Sequence, residues 1–501
     1  MRSMEERESN TSKSTKWYLK IFFIIELCVV LFLGLFYYSC GKQLYERESD
    51  GNIEEFGATN DVGELVSGNV VEQYYTSNMD KLTRVGIMAS NYGQPFSSHL
   101  YIKCENVTKN YVIAEGSFNV SDLGINQYIY LDGPEYPENV KDSQFWRGDV
   151  VKITVTSDGD YGNAPTVLYS LNEEAIENLN AVKDAKLVIN GVETPGNLCI
   201  AVEGTNYVWT GPHYWMLALG VVVVVALLYW ILAFRDRKGK NGILFPFLGV
   251  YQKYKFLIHQ LVSRDFKTRY KRSILGVLWS FLNPLLLMLV QYVVFSQLFK
   301  MNIDNFPVYL LTGTVVFNFF TEGVNQSLTS IVGNAPLITK VYLPKYVYPV
   351  TRVLSSGINL LMSLIPLVIV SLATGESITK AYWMAPYILI CVAVFTTGLG
   401  MIMASAMTFF RDMQFLWGIL SMIWMYLTPL FYPIEIVARE SRDLFKLNPM
   451  YHFITAMRDI VMNGITPRPG EFVICTALAL GMLLIGGLVF KKTQDKFVFY
   501  L

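Results

Sequence analysis

The chain has 501 residues, 52% of them apolar and only 16% charged, and its formal net charge at pH 7 is zero. So low a charged fraction is unusual for a soluble protein, and the apolar residues are concentrated in runs of roughly 20, long enough to cross a bilayer. The composition therefore excludes an ordinary soluble domain and indicates a multi-pass membrane protein, for which we expect no nucleic-acid partner.

Eight apolar runs are predicted to be membrane-spanning helices. The first has a basic flank, but it is too long for a usual signal peptide and no small-residue cleavage pattern follows it, so we expect a retained signal anchor. The predicted spans are 18–38, 213–234, 274–299, 308–331, 350–373, 384–409, 413–433 and 472–490.

Charge asymmetry predicts the orientation. Residues 41–211 contain 25 Asp/Glu against 11 Lys/Arg, whereas the short segment 235–273 contains 11 Lys/Arg against 2 Asp/Glu. Basic loops next to spans remain in the cytoplasm. We therefore expect the acidic segment to lie outside, and both termini to lie in the cytoplasm of a bacterial cell with the chain in its plasma membrane.

The acidic segment is predicted to form an all-β domain. Short runs rich in β-branched and aromatic residues alternate with Gly, Asn, Asp and Pro at intervals of roughly ten residues, a spacing typical of an antiparallel sandwich or jelly roll. The predicted strands are 85–92, 99–104, 111–118, 127–133, 150–157 and 166–170. Cys104 and Cys199 lie in this domain, where a disulfide and two free thiols are equally consistent with the sequence.

The basic segment carries an apolar stripe at helical spacing from Phe247 to Tyr270, which favours an amphipathic helix lying on the membrane surface over a simple topology-setting flank. Its last five basic side chains run directly into an apolar span. We expect them to form an entrance for an anionic substrate as well as a topology signal; they are Arg264, Lys267, Arg269, Lys271 and Arg272.

Four ordered stretches resemble the membrane subunit of type-2 ABC exporters, in the branch that exports O-antigen, capsule and teichoic-acid polymers. They are "SRDFKTRYKRSILGVLWSFLNPL", "SIVGNAPLITKVYLPKYVYPVTRV", "YLTPLFYPIEIV" and "LNPMYHFITAMRDIVMNG". The resemblance implies a six-helix permease core at 274–490. The segments outside this core are a tail 1–16, a helix 17–38, the β domain 39–211, a helix 212–234, the basic linker 235–273 and a tail 491–501.

The resemblance also implies a dimer of this permease with two copies of a cytoplasmic ATPase. The chain has no G-x-x-x-x-G-K-[ST] phosphate loop, so ATP and Mg are expected on the partner and no cofactor is expected here. Apolar and basic side chains in a short cytoplasmic loop indicate the ATPase contact rather than a plain connection. They are Lys340, Val341, Tyr342, Leu343, Pro344 and Lys345.

By the same resemblance the channel begins at Trp279, Asn283 and Pro284. Glu322 and Asn325 lie within a predicted span, where a polar side chain contacts either substrate or a neighbouring helix. Broken helices at 426–470 resemble an outer gate, and its aromatic residues also suit an interfacial belt. The gate residues are Tyr426, Pro429, Phe431, Tyr432, Pro433, Asn448, Pro449 and Tyr451.

The β domain is similar to jelly-roll domains of bacterial surface-glycan synthesis, which leaves glycan binding and a plain docking role open. No catalytic constellation or metal-ligand spacing occurs in the sequence. We therefore expect a non-enzymatic permease subunit that exports a lipid-linked surface polysaccharide or teichoic-acid-like polymer. Another amphipathic export substrate is the alternative, followed by a membrane glycosyltransferase or a glycan sensor.

Overall fold

The structure is a computed structural model that describes residues 2–52, 59–133, 147–171, 182–237, 244–270, 276–298, 305–338, 344–434, 437 and 439–500. It divides into two compact units. One is the β unit, Lys42–Trp215, and the other is the helical unit, Met1–Gly41 with Met216–Leu501.

The β unit is built from short strands. They are β1 (Glu46–Asn52), β2 (Thr59–Asp61), β3 (Val70–Ser77), β4 (Lys81–Ser90), β5 (His99–Asn106), β6 (Tyr111–Asn119), β7 (Gln127–Asp132), β8 (Val150–Ser157), β9 (Thr166–Ser170), β10 (Val182–Ile189), β11 (Val192–Thr194), β12 (Asn197–Leu198) and β13 (Ile200–Tyr207). All six predicted strands are confirmed.

These strands form two antiparallel sheets. The first sheet has the order β1-β13-β4-β9-β12, with β2 paired to β9 and β7 paired to β4, and the second has the order β11-β10-β3-β8-β5-β6. Alternate residues of β8 (Val151, Ile153 and Val155) are buried in one core together with Ile87 of β4. Alternation at period two is what buries one face of each strand. The predicted antiparallel sandwich is confirmed, while the jelly-roll connectivity stays a prediction.

The two cysteines of the β unit do not form a disulfide. Cys104 lies in the core between the sheets, whereas Cys199 packs with Met88 and Leu168 in a separate cluster, and both thiols are buried. Of the two alternatives that the sequence left open, the structure therefore shows the one without a disulfide, because the strands direct the two side chains into different clusters. Burial raises the pKa of the Cys104 thiol to about 12, which keeps it protonated and unreactive at neutral pH.

The helical unit contains long apolar helices joined by short ones. Helices of the described chain are α1 (Arg2–Cys40), α2 (Thr210–Arg237), α3 (Leu244–Tyr270), α4 (Trp279–Tyr292, continued as a π-helix over Val293–Leu298), α5 (Phe306–Leu328), α6 (Ala335–Ile338), α7 (Val347–Ala373), α8 (Ala385–Phe409), α9 (Met413–Tyr426), α10 (Arg439–Lys446), α11 (Pro449–Val461), α12 (Pro469–Thr493) and α13 (Phe497–Tyr500).

Six helical segments of the described chain are long and apolar enough to cross a membrane. They are Leu19–Leu44, Thr210–Ile231, Trp279–Ser296, Val347–Ala373, Lys380–Phe409 and Pro469–Tyr500. Two of the eight predicted spans differ. The span 413–433 ends at Tyr426 as the short helix α9, and 308–331 is the helix α5, which is buried over most of its length but is not among the six. Its membrane crossing stays a prediction.

Helices α8 and α12 pack closely at two glycines. A methyl group at Gly486 would clash with the Gly398 carbonyl, and one at Gly398 would clash with the backbone of Met482. Only a residue without Cβ lets helix backbones approach so closely, as is common between helices in membranes. Thr396 of α8 satisfies its hydroxyl within its own helix, where Oγ1 donates to the Val392 carbonyl at 2.7 Å. The packing makes α12 a fixed part of the bundle.

Candidate functional site: a polar path through the helical unit

A charged triad lies at the end of the helical unit that the sequence predicts to be cytoplasmic. Asp265 of α3 accepts Arg264 Nη2 at 3.0 Å through Oδ1, and Arg352 Nη1 lies 3.0 Å from its Oδ2. The Asp265 side chain is 8% exposed, against 48% for Arg264. Arg264 also donates to Asn334 Oδ1 at 3.4 Å. Two guanidinium groups thus share one carboxylate, which leaves a net positive charge.

The triad forms one wall of a cavity of about 550 Å³. The rest of the lining is almost entirely hydrogen-bonding; it consists of Thr268, Gln326, Thr329, Gly333, Asn334, Ser355 and Asn359. So polar a cavity suits water, phosphate oxygens or sugar hydroxyls rather than a hydrocarbon chain. We call this the triad cavity.

A second cavity of about 440 Å³ lies between α4, α5 and α7, and we call it the channel cavity. Trp279, Asn283, Pro284 and Glu322, which the sequence proposed as channel residues, all line it. The fifth, Asn325, is exposed and is not among its lining residues. The structure thus brings four of the five together.

Asn359 of α7 lines both cavities and joins them. Its Nδ2 donates to Glu322 Oε1 at 2.8 Å, and Gln326 Nε2 donates to the same oxygen at 2.7 Å. Since Gln326 lines the triad cavity and Glu322 the channel cavity, these three side chains form a continuous polar link. Two amides that donate to one oxygen make a half-buried carboxylate tolerable among apolar helices.

Sequence reasoning missed four members of this path: Asp265, Gln326, Arg352 and Asn359. The available signal was spacing, because Glu322 and Gln326 are four residues apart and Arg352 and Asn359 are seven apart, so each pair lies on one helix face. What the spacing did not supply is which neighbouring helix each face meets.

Of the predicted entrance residues, Arg264 is engaged by the triad and Lys267 is exposed. Arg269 ends α3 with its side chain outside the described part, and Lys271 and Arg272 lie outside the described residues. The entrance role of these five residues stays a prediction.

Among the predicted outer-gate residues, Asn448 connects two helix ends. Its Oδ1 accepts Met450 N at 3.0 Å, which caps α11, and accepts Trp424 Nε1 at 2.7 Å. Its Nδ2 donates to Thr428 Oγ1 at 2.7 Å. One amide therefore ties the end of α9 to the start of α11, which the following Pro449 begins.

The aromatic gate residues are held individually. Phe431 is buried and stacks on Phe295 with the ring centres 5.2 Å apart. The Tyr432 hydroxyl donates to the Tyr426 carbonyl at 2.7 Å, while Tyr451 is half-buried beside His452. Pro433 is also half-buried, at the end of the same segment.

Arg458 of α11 fixes the segment between these residues, and the sequence did not single it out. It donates to the Pro429 carbonyl at 2.8 Å and to the Leu430 carbonyl at 2.9 Å. Its guanidinium carbon also lies 3.4 Å from the centre of the Tyr309 ring of α5. A planar group with several donors can satisfy carbonyls that no helix satisfies.

The predicted ATPase contact is only partly described, since Lys340, Val341, Tyr342 and Leu343 lie outside the described residues. Pro344 and Lys345 follow them. Lys345 Nζ donates to the Gln494 carbonyl at 2.6 Å, just before α13. A buried apolar cluster joins this region to α3 and α13; it includes Leu261, Ile331, Val347, Tyr348, Met401, Ala404, Phe490 and Phe497.

Comparison with known proteins identifies the family. Residues 257–462 match the family described as ABC-2 type transporter. The O-antigen export system permease protein RfbA of Myxococcus xanthus is 30% identical over 247 residues, which cover 49% of this chain and 95% of that relative.

More distant relatives agree. The polysialic acid transport protein KpsM of Escherichia coli is 23% identical over 254 residues, which cover 49% of this chain and 96% of KpsM. The capsule polysaccharide export inner-membrane protein BexB of Haemophilus influenzae is 24% identical over 246 residues, covering 48% and 91%. The β unit precedes the family match. The resemblance seen in the sequence is confirmed: the chain belongs to the ABC-2 type transporter family.

Proposed function

We propose that this chain is the permease subunit of an ATP-driven exporter that moves a lipid-linked surface polysaccharide, or a teichoic-acid-like polymer, out of a bacterial cell. The relatives named for O-antigen and capsule export support the substrate class. ATP hydrolysis is assigned to a separate cytoplasmic subunit, because the sequence contains no phosphate loop.

The observation that carries the proposal is the polar path joined at Asn359. Helices that contact lipid gain nothing from a net-positive triad and a carboxylate held by two amides inside the bundle. A polymer of sugars with a phosphate-linked lipid needs hydrogen-bonding partners along its path and positive charge at its entrance. An amphipathic drug would be better served by a wholly apolar cavity. The hydrogen-bonding side chains of the triad cavity favour the polysaccharide, while the channel cavity adds apolar walls at Val315, Phe319 and Leu360.

The arrangement that we propose has two copies of this permease and two ATPase subunits. Both termini and the predicted contact around Lys345 are cytoplasmic, and the β unit is outside, as the charge asymmetry of the flanking segments supports. Reversing the charge of Lys340 and Lys345 together is expected to weaken co-purification of the ATPase. Unchanged co-purification would argue against this contact.

Depletion of the chain tests the function directly. We expect surface polymer to disappear while its lipid-linked precursor accumulates inside the cell, because synthesis continues when export stops. Normal surface polymer after depletion would contradict the proposal.

Two matched variants then test the path. Asn359→Leu removes the amide shared by the two cavities, and we expect it to reduce export at least tenfold at equal membrane abundance. Asn325→Leu makes the same chemical change on α5, at an exposed side chain that is not among the cavity linings, and is expected to export normally. Equal export by both variants would show that the polar path has no role in export.

A further inference from the structure

The β unit has a cleft of its own, on the outer face of the first sheet. Its volume is about 370 Å³, within the range of about 300–1,000 Å³ typical of small-ligand sites. All the residues that line it belong to the β unit. The cleft is therefore a feature distinct from the polar path of the helical unit.

The floor of the cleft is formed by two hydroxyl side chains. Ala89 of β4 and Val167 of β9 point into the core of the sandwich. Because side chains alternate along a strand, the residue after Ala89 and the residue before Val167 point to the opposite face. Those positions are Ser90 and Thr166, which are direct partners across the two strands. Both are almost completely buried, at 3% and 1% exposure.

The sides of the cleft combine apolar surface with strong hydrogen-bonding groups. Tyr92 and Ile125 line it and are 41% and 68% exposed, although both present large apolar side chains. Asp61 and Asn126 supply a carboxylate and an amide. A side chain at Gly93 would meet Ile125 at 3.3 Å, so the two loops that carry these residues lie against each other.

The backbone of Tyr92 is held in a conformation that its side chain disfavours, with φ of 54°. The other non-glycine residues with positive φ in the described chain are Asn110, Asn126, Asp184, Asn190 and Asn305. Asn and Asp tolerate this region, whereas a bulky residue rarely adopts it. Tyr92 is therefore the exception by residue type, and like Asn126 it lines the cleft.

Specific hydrogen bonds maintain that conformation. Tyr92 N donates to Ser90 Oγ at 3.2 Å, Gly93 N donates to Asn91 Oδ1 at 2.9 Å, and Asn91 Nδ2 donates to the Leu123 carbonyl at 2.6 Å. Strained backbone that is fixed in this way is concentrated at binding sites, where it places a side chain that relaxation would move. The structure thus holds the Tyr92 ring at the cleft at the expense of local backbone preference.

We propose that this cleft binds a neutral or amino sugar ring of a glycan. The apolar face of the ring would lie on Tyr92 and Ile125, and its hydroxyls would bond to the carboxylate, the amide and the floor hydroxyls. Such a mixture of aromatic surface and paired acceptors and donors matches a polyol, which is apolar on its C–H faces and polar at its edge.

The charge of the cleft selects among sugars. Burial raises the pKa of the Tyr92 hydroxyl, Thr166 lowers it through a hydrogen bond, and the carboxylates of Asp61 and Glu64 raise it further. Asp61 itself lines the cleft, so its carboxylate lies beside any bound ligand. A uronic acid would be repelled there, and an amino sugar would be attracted.

Binding by the purified full-length chain in detergent tests the proposal without any transport assay, so it can fail or succeed independently of the proposed export function. The probes are methyl glycosides of glucose, galactose, N-acetylglucosamine, glucosamine and glucuronic acid, measured by saturation-transfer NMR. We expect at least one neutral or amino glycoside to bind in the millimolar range and the glucuronide to bind at least tenfold more weakly. Binding of none, or equal binding of the glucuronide, would overturn the proposal.

Two glycine substitutions separate binding from folding. Tyr92→Gly relieves the strained backbone and removes the ring, so we expect unchanged or higher thermal stability with at least tenfold weaker binding. Asn110→Gly makes the same backbone change in the turn between β5 and β6 and is expected to bind normally. Asp61→Asn, at an exposed position, tests the site a second time, by removing the charge of the carboxylate that lines the cleft. Wild-type affinity in both Tyr92→Gly and Asp61→Asn would overturn the site.

The ring could come from the exported polymer or from cell-wall glycan strands, which share this chemistry. Titration with polysaccharide released from the surface of the producing cells, and separately with solubilised wall strands, distinguishes the two sources. Competition by either preparation with the bound glycoside supports the cleft, and competition by neither counts against it.

Discussion

The guanidinium group of Arg458 lies on the ring of Tyr309, 3.4 Å from its centre, while the Tyr309 hydroxyl donates to the Tyr432 carbonyl at 2.7 Å. Helix α11 and helix α5 thus hold the segment 429–432 between them. Its carbonyls accept hydrogen bonds neither from a strand nor from a continuous helix, so the two side chains supply the missing donors.

Replacing Arg458 should therefore release this segment. We expect Arg458→Met to destabilise the purified chain by about 1.5–3 kcal/mol, because at least two carbonyls lose charged donors, and to abolish most export. Arg458→Lys should recover little, since one ammonium cannot reproduce the planar fork. Thermal unfolding in detergent measures the first effect. Arg468→Met, at an exposed position, is the control, and an equal loss in that variant would refute the argument.

The glycine contact between α8 and α12 leads us to expect opposite effects from substitutions at two adjacent residues of α12. Gly486→Ala should destabilise the chain by about 1–3 kcal/mol, because the added methyl meets the Gly398 carbonyl and the helices must separate. Gly487→Ala has open space around it and should be neutral or stabilising by up to about 1 kcal/mol. Equal melting temperatures for these adjacent substitutions would show that the close approach does not exist.

The shared carboxylate of the triad predicts a double-mutant result. Asp265→Asn leaves Arg352, at 24% exposure, without its ionic partner and should cost about 1.5–3 kcal/mol. Adding Arg352→Gln should cost less than the sum of the two single changes, because the uncompensated charge is gone. Thermal unfolding of the four proteins completes the cycle. Asp412→Asn, at an exposed acid, serves as the control, and strict additivity would contradict a direct pair.

The β unit should carry a pH-dependent stabilisation at Asp158. The His99 backbone N–H, which donates to its carboxylate at 2.6 Å, is the largest cause that lowers the pKa of Asp158. A group whose folded pKa is depressed contributes stability above its unfolded value, about 3.9, and loses it as pH falls through the folded value. Asp158→Asn should therefore lower the β-unit unfolding temperature at pH 7, and the difference from wild type should shrink as the pH falls below about 3.9.

Calorimetry of the full chain at several pH values checks this, with the exposed acid Asp160→Asn as the control. A difference between Asp158→Asn and wild type that stays constant with pH would show that ionisation of Asp158 is not the cause.

Sequence reasoning found only strands with strong local signals, although it also missed one of that kind, β3, whose sequence is VVEQYYTS. Strands with β-branched alternation, such as Val150–Ser157, were predicted, whereas β1 was missed because its sequence, ERESDGN, is polar throughout and pairs with β13 only through tertiary context. Glu322 was recognised because an acid in an apolar helix is conspicuous.

Its partners were harder to find for a physical reason. Asp265 and Arg352 are 87 positions apart, and they meet because of the rotation of α3 and α7 about their axes. Periodicity defines the faces of each helix, but packing decides which faces meet. Arg458 was missed for the same reason: nothing in its own helix shows that unpaired carbonyls of another segment lie beside it.

Helix α12 is tied near both ends. Near its start, the Glu471 carboxylate accepts a hydrogen bond from His452 of α11, within the predicted outer gate, at 3.1 Å. Just past its end, the Gln494 carbonyl accepts a hydrogen bond from Lys345, beside the predicted ATPase contact. Its 25 residues span about 37 Å. The glycine contact holds α12 closely against α8. We therefore expect a displacement at Lys345, beside the predicted ATPase contact, to be transmitted along α12 to the predicted outer gate.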